Sequence, residues 1–213
     1  MKLSKVSKLD GIRSWSLQAR ETCPGSYDNN GQLVPACQGC YAVGGRYVTK
    51  NVRKPREFNR TDWQRSDWVA DMVAELANDR FFRWFDSGDI YHPELARKIL
   101  QVMQQTPWVK HWLPTRSHKL ARIKPTLEIM RSLPNVSVRY SADDIDGTHG
   151  AEHGSTIVPD STPRGGLHIC EAYNHGGKCN GCRACWDKNV PVIGYVAHGR
   201  TMAKVIRIHS AAA

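Results

Sequence analysis

No stretch of this 213-residue chain keeps apolar side chains together for the roughly 18 positions that a membrane-crossing helix needs, so such a span is excluded. The N-terminus, MKLSKVSKLDG, is basic but has no apolar core of the kind a secretory signal carries, and a cytoplasmic location is expected. There is no internal repeat and no low-complexity tract, which argues against a solenoid and against a disordered linker. No G-x-S-x-G elbow occurs, so a serine nucleophile such as Ser87 or Ser117 would lack its usual setting. Acidic side chains are scarce: 20 Asp and Glu stand against 30 Lys and Arg, a net charge of +10.

What is present describes a soluble globular chain, with 40% hydrophobic and 23% charged residues. Its length suits one domain with a full core, or one domain with a small appendage. The basic excess is densest between Arg46 and Arg65, a stretch with seven Lys and Arg. Such a stretch suits an anionic partner, either nucleic acid or a phosphorylated substrate. A solvated basic face that keeps the protein soluble accounts for it equally well.

Short apolar strands alternate with helical patterns. Residues 12–19 alternate as a strand, and Trp68, Val69, Met72, Val73 and Leu76 share one face of a helix over 66–77. FFRWF (81–85) reads as a strand ending in the turn Asp86-Ser87-Gly88-Asp89. Pro93 fits the first turn of a helix whose buried stripe is Leu95, Ile99, Val102 and Met103. A strand from Trp108 to Leu113 ends in Pro114 to His118. Pro125 interrupts the next helical pattern, so a turn near Leu120 and Ile123 precedes a short helix through Leu127 and Met130. Asn135 to Tyr140 is a further strand, ending in Ser141 to Asp144. Beyond it the chain is loop-rich until VPVIGYVA (190–197), a candidate closing strand.

This alternation predicts parallel βαβ units and an α/β fold. In such sheets the site lies at the carboxyl ends of the strands. The Cys23 loop, Asp86 to Asp89, Thr115 to His118 and Ser141 to Asp144 all fall at such ends, which points to one shared rim.

The seven cysteines form two groups, Cys23, Cys37 and Cys40, then Cys170, Cys179, Cys182 and Cys185. In a reducing compartment, clustered cysteines are metal ligands more often than disulfides, and an odd number leaves a thiol over in any disulfide scheme. Three thiolates would leave one iron of a four-iron cluster open, while zinc with three thiolates and a water competes. The second group can close a four-iron cluster or a zinc ion. Its C-x2-C-x2-C run is closer to ferredoxin spacing than to zinc ribbons, and Gly176, Gly177 and Gly181 let the loop wrap a bulky group. One cluster drawing on both groups is a further partition.

The segments T-C-P-G (22–25), C-x-G-C-Y-A (37–42), F-R-W-F-D-S-G-D (82–89), W-L-P-T-R-S (112–117) and C-N-G-C-R-A-C-W (179–186) together resemble the phage "gene product 88" domain family. That family looks like a short relative of radical S-adenosylmethionine (SAM) proteins. The resemblance implies a partial parallel (β/α) barrel of that type over residues 1–145. A Cys-rich, loop-rich extension over 146–213 would pack on the same domain, all in the cytoplasm of a phage host. It implies that Cys23, Cys37 and Cys40 hold a [4Fe-4S] cluster, and that Ser87, Gly88 and Asp89 sit where SAM is contacted. Radical SAM enzymes usually carry C-x3-C-x2-C, whereas thirteen residues separate Cys23 from Cys37 here, a loop able to reshape or fill the SAM pocket.

Three functions are compatible with these residues. The first is radical SAM-like chemistry at an open cluster on an anionic substrate. The second is a non-redox hydrolase, for example an esterase, in which the open iron acts as a Lewis acid with Asp86, Asp89, His118 or Asp143 as general base. The third is a non-catalytic metal-binding module that contacts nucleic acid or a host protein through Arg46–Arg65. Arg116 would clamp a carboxylate or phosphate, or pair with Asp86 or Asp89 across the rim. His149 and His153 read as surface loop histidines. Trp63, Trp68, Trp84, Trp108 and Trp112 read as core rather than as a base-stacking platform.

Overall fold

The computed structural model describes residues 1–211 and shows a mixed α/β fold. A five-stranded sheet holds β1 (Leu3–Lys5), β2 (Arg13–Trp15), β3 (Phe81–Trp84), β4 (Lys110–Thr115) and β5 (Val136–Tyr140) in sequential order. β1 and β2 pair antiparallel, and every later pairing is parallel. Ahead of β3 come α1 (Pro35–Gln38), α2 (Lys50–Asp62) and α3 (Trp68–Glu75). The helices α4 (Pro93–Gln105) and α5 (Lys124–Ser132) make the crossovers from β3 to β4 and from β4 to β5, and α3, α4 and α5 pack side by side.

Alternation along the strands sorts the two faces of the sheet. Trp15, Phe82, Trp84, Leu113 and Tyr140 turn towards the helices and join Trp68, Leu95, Ile99 and Leu127 in the main core. Trp15 opposes Trp84 across one ladder, and their rings meet edge to face at 6.2 Å. The α4 stripe is as its sequence predicts: Leu95, Ile99, Val102 and Met103 are fully buried. His92 caps that helix by accepting from the Glu94 amide at 3.1 Å, and Pro93 takes its first position. α5 likewise takes Pro125 into its first turn.

The opposite face carries Ser14, Arg83, Trp112, Ser137 and Arg139, and the C-terminal region covers it. Trp112 and Trp186 meet at 5.1 Å, and the Trp186 indole N–H donates to the Phe82 carbonyl at 2.9 Å. Arg139, 2% exposed, donates to the carbonyls of Ala184, Cys185, Asp187 and Val190 at 2.7–2.9 Å. A buried guanidinium satisfied by carbonyls fixes the backbone of residues 184–190, at about 1.5–3 kcal/mol for each bond to a charged donor.

Several expectations are corrected. β4 starts at Lys110, and Trp108 precedes it, 42% exposed, with its indole N–H on the Leu76 carbonyl at 3.1 Å. β2 is only Arg13–Trp15, because Leu17 leaves the ladder to pair with Ser87 and Arg20 turns left-handed at φ 66°. The loop-rich end contains a parallel sheet of β6 (Ser155–Val158), β7 (His168–Ile169) and β8 (Ile193–Val196), with β8 in the middle. The 190–197 segment therefore forms the centre of a second sheet. Among the described residues no ladder joins β1 to β5, and one bridge, Ser141 to Ser155, connects the sheets. α6 (Arg200–Ala211) then returns over α1.

Candidate metal centres

The first cysteine group lies at the carboxyl ends of the strands. Cys23 follows β2, and its neighbour Thr22 accepts from the Asp89 amide at 3.0 Å, tying it to the end of β3. Residues 24–36 form a small hairpin, closed by a Tyr27–Leu33 bridge and by Asp28 accepting from the amides of Asn30 and Gln32. Gly25 lies so close to the Arg116 carbonyl that a Cβ would stand 2.2 Å from it. The Ala36 amide donates to the Asp143 carbonyl at 2.8 Å. The hairpin therefore sits over the ends of β4 and β5 and delivers Cys37 and Cys40 beside Cys23. Burial, then Asp89 and the two other thiols, push the Cys23 thiol up to about 12. Burial also raises Cys40, with Cys37 adding to it. Gly39 has φ −92°, so it needs no left-handed turn; it leaves room for Met202 of α6, whose Cα would stand 2.7 Å from a Cβ.

The polar strand ends do meet, but most of their groups are committed to one another. The Asp89 carboxylate is buried and accepts from the Thr115 hydroxyl and the amides of Ile90 and Arg116 at 2.7–2.8 Å. Burial raises its pKa, and those donors oppose the rise. Ser87 donates to the Leu17 carbonyl at 2.7 Å. Gly88, at φ 77°, has Leu17 and Thr22 where a Cβ would be, so only glycine fits. Arg116 pairs with Asp143 at 3.3 Å and donates to the Ala142 carbonyl; its contact with Asp89 is through the backbone amide, and Asp86 is not its partner. Lys119 shares Asp143 at 2.8 Å.

Asp86 belongs to a network that the sequence did not disclose. It accepts from Arg83 at 2.9 Å and from the Tyr47 hydroxyl at 2.7 Å, with Arg56 at 3.5 Å. Tyr41, next to Cys40, donates to the Asp86 carbonyl at 2.7 Å. Arg83 stacks on Trp112 and Arg56 on Tyr47. Phe85 precedes the network at φ 59°, a rare conformation for an aromatic residue. The tyrosine directly after Cys37-x-x-Cys40 was the one available signal.

The second group lies at the amino ends of the strands. Cys170, Cys179, Cys182 and Cys185 line one cavity of about 140 Å³, together with His168 and His175. The Cys179 amide donates to the Lys8 carbonyl at 2.7 Å, and the Gly181 amide and Arg183 both reach Asp10, just ahead of β2. Gly176, Gly177, Asn180 and Gly181 have φ between 48° and 85°, so a left-handed path curls the loop around the cavity. Burial pushes Cys185 up to about 11, partly opposed by the Tyr195 hydroxyl at 3.3 Å. With the two groups at opposite ends of the sheet, one cluster shared between them is not what this geometry accommodates.

His118 is 4% exposed and stacks on Tyr140 at 4.4 Å. Burial pushes its ring down to about 4. Of the basic stretch, Arg53, Arg56, Arg60 and Arg65 are paired with Glu57, Asp86, Glu21 and Asp62. Among the described residues, Arg46, Lys50 and Lys54 have no such partner. No described helix is long and apolar enough to cross a membrane.

No curated protein and no solved structure matches the chain. The family model described as Gene product 88 matches residues 2–188, a span that takes in both cysteine groups and all five strands of the first sheet, and the chain belongs to the gene product 88 family.

Proposed function

We propose that this chain is an iron–sulfur enzyme with two centres of different kinds. An open one at the carboxyl rim would be held by Cys23, Cys37 and Cys40. A closed one would be held by Cys170, Cys179, Cys182 and Cys185. The observation that carries the reading is the division of the thiols: four line one cavity, and three stand together at the other end of the sheet. The C-x2-C-x2-C run of the second group, closer to ferredoxin spacing than to zinc ribbons, favours iron–sulfur over zinc there.

An iron without a protein thiolate supplies a coordination position for a substrate or cofactor. The residues around it favour an anionic substrate. Arg56 and Arg83 share the single carboxylate of Asp86, leaving one positive charge in excess, and the Nε of each is buried with no hydrogen-bond partner. Asp89, Ser87 and Gly88 hold the strand ends in place, and Asp143 orients Arg116 and Lys119 at the same rim. The sequential order of β2 to β5, with helices packed along one face, supports a partial barrel as the frame.

The open iron has two uses within this reading. Radical SAM-like chemistry is one, and it rests on the resemblance. The other, direct polarisation of a substrate in a hydrolase, is favoured by the hairpin 24–36, which lies over the ends of β4 and β5; the inward commitment of Asp89 removes it both as a SAM contact and as a candidate base.

Iron and sulfide analysis with an absorption spectrum, on protein purified without oxygen, tests the proposal. About eight of each per chain are expected, with Cys37→Ser and Cys179→Ser each losing about four from a different centre. Zinc without sulfide would overturn it. Turnover that persists without SAM and reductant selects the hydrolase; SAM cleavage under reduction selects the radical form.

A further inference from the structure

We infer that His118, Glu152 and His153 form a third metal site, a two-histidine, one-carboxylate set for a divalent transition-metal ion such as zinc, separate from both cysteine groups. One ligand atom from each of the three lies within 4.8 Å of the others. The residues come from two places in the chain. His118 belongs to the turn after β4, and Glu152 and His153 to the loop that enters β6.

Neighbouring groups fix the geometry of the histidine pair. His118 is fixed by Tyr140, whose ring lies 4.4 Å away and nearly parallel at 14°. The His153 ring stands 5.6 Å away at 79°, so the two imidazoles meet edge to face. The Nδ1 of His118 is buried without a hydrogen-bond partner, and a buried polar atom left in that state is costly. A metal bound at Nδ1 would give that atom the partner it lacks. Glu152 uses Oε2 to pair with Lys124 at 3.0 Å, which leaves Oε1.

Two neutral imidazoles and a carboxylate suit zinc or iron(II), and neither is the soft all-sulfur set that the cysteines offer. Three protein ligands leave a position for water, the pattern of a reactive rather than a purely structural site. Binding has one local consequence. His153 Nδ1 accepts from the Gly150 amide at 2.8 Å. An ion at Nε2 would move the ring proton to Nδ1 and break that contact, so Gly150 reports on occupancy.

The test uses the full chain, with its cysteine-bound metal determined beforehand, titrated with Zn²⁺ while histidine ring ¹H–¹⁵N correlations are followed. One further equivalent is expected, with ring nitrogens of His118 and His153 shifting together and the Gly150 amide moving with them. Glu152→Gln and His153→Ala change residues outside the core and should fold as the parent does. Each is expected to weaken that equivalent by more than about 100-fold, beyond what loss of an outer-shell partner costs. Zinc uptake that leaves both rings unmoved, no further equivalent, or parent affinity in His153→Ala would overturn the site.

Discussion

The ring of His111 lies fully buried in β4 with both nitrogens engaged. Nδ1 accepts from the Trp84 indole N–H at 3.3 Å, and Nε2 meets the Thr106 hydroxyl at 2.9 Å. That hydroxyl already donates to the Val102 carbonyl, so Nε2 carries the proton and the ring is neutral. A second proton would face the indole N–H, and burial pushes the ring down to about 3. In the unfolded chain the ring takes its proton near the ordinary value of 6.5. Below that pH the unfolded state binds more protons, so stability is complete above 6.5 and falls as pH is lowered towards 3. His111→Gln keeps a donor and an acceptor without titrating. Urea unfolding at stepped pH is expected to show its stability falling less steeply, by about 1.4 kcal/mol per unit, than that of the parent. Parallel curves would mean that the ring is not held neutral. At this scale the cysteines were legible because their chemistry is unambiguous. Arg139, Tyr47 and Glu152 were not, since a polar residue reveals its partner only once distant strands and loops are brought together.

Elements were legible where an apolar period ran long enough to read. α4 has such a stripe, and Pro93 lies in its first turn as the sequence suggests. α2 has none: its buried positions are Arg56, Asn59 and Asp62, it carries Pro55 within it, and polar groups hold it down, with Asn59 bonding to both the Lys2 amide and carbonyl. α6 went unread although it covers the first cysteine group. Met202 packs against Gly39, and with Val205 it joins Ala36 and Ile145 in a separate small core. Met202→Asp places a charge there and should undock α6 without touching the main core, which shares no residue with that cluster. In metal-free protein Cys37, 8% exposed, is then expected to react with an alkylating reagent at least about tenfold faster, equivalent to about 1.4 kcal/mol of lost docking. Cys185, which packs in another cluster, should keep its parental rate. Equal acceleration at both would show that the substitution unfolds the chain, and no acceleration would show that α6 does not guard the thiol.

For the molecule as a whole, the sequence supplied the number of cysteine groups and the run of parallel units, but not the separation of those groups to the two ends of one sheet. That separation depends on the last 60 or so residues folding back over the open face, a long-range packing event with no local signature. The same limit applies to charge. A basic excess that is densest between Arg46 and Arg65 reads as a nucleic-acid footprint until pairing is known. Here Arg53, Arg56, Arg60 and Arg65 face carboxylates, and the guanidinium of Arg56 is turned into the interior. Among the described residues, Arg46, Lys50 and Lys54 of that stretch are then the ones available to phosphates without breaking an ion pair. Each phosphate neutralised adds about 0.9 to the slope of log affinity against log salt on duplex DNA. Binding through this face is therefore expected to give a slope no steeper than about −3, against about −6 if all seven cations engaged. A measured slope near −6 would mean that the ion pairs open on contact and that nucleic acid, rather than a small anion at Arg56 and Arg83, is the partner the basic segment serves. A slope of about −3 or shallower would show that the ion pairs stay closed on contact, and leaves the anion site proposed beside Asp86 to be tested on small anions.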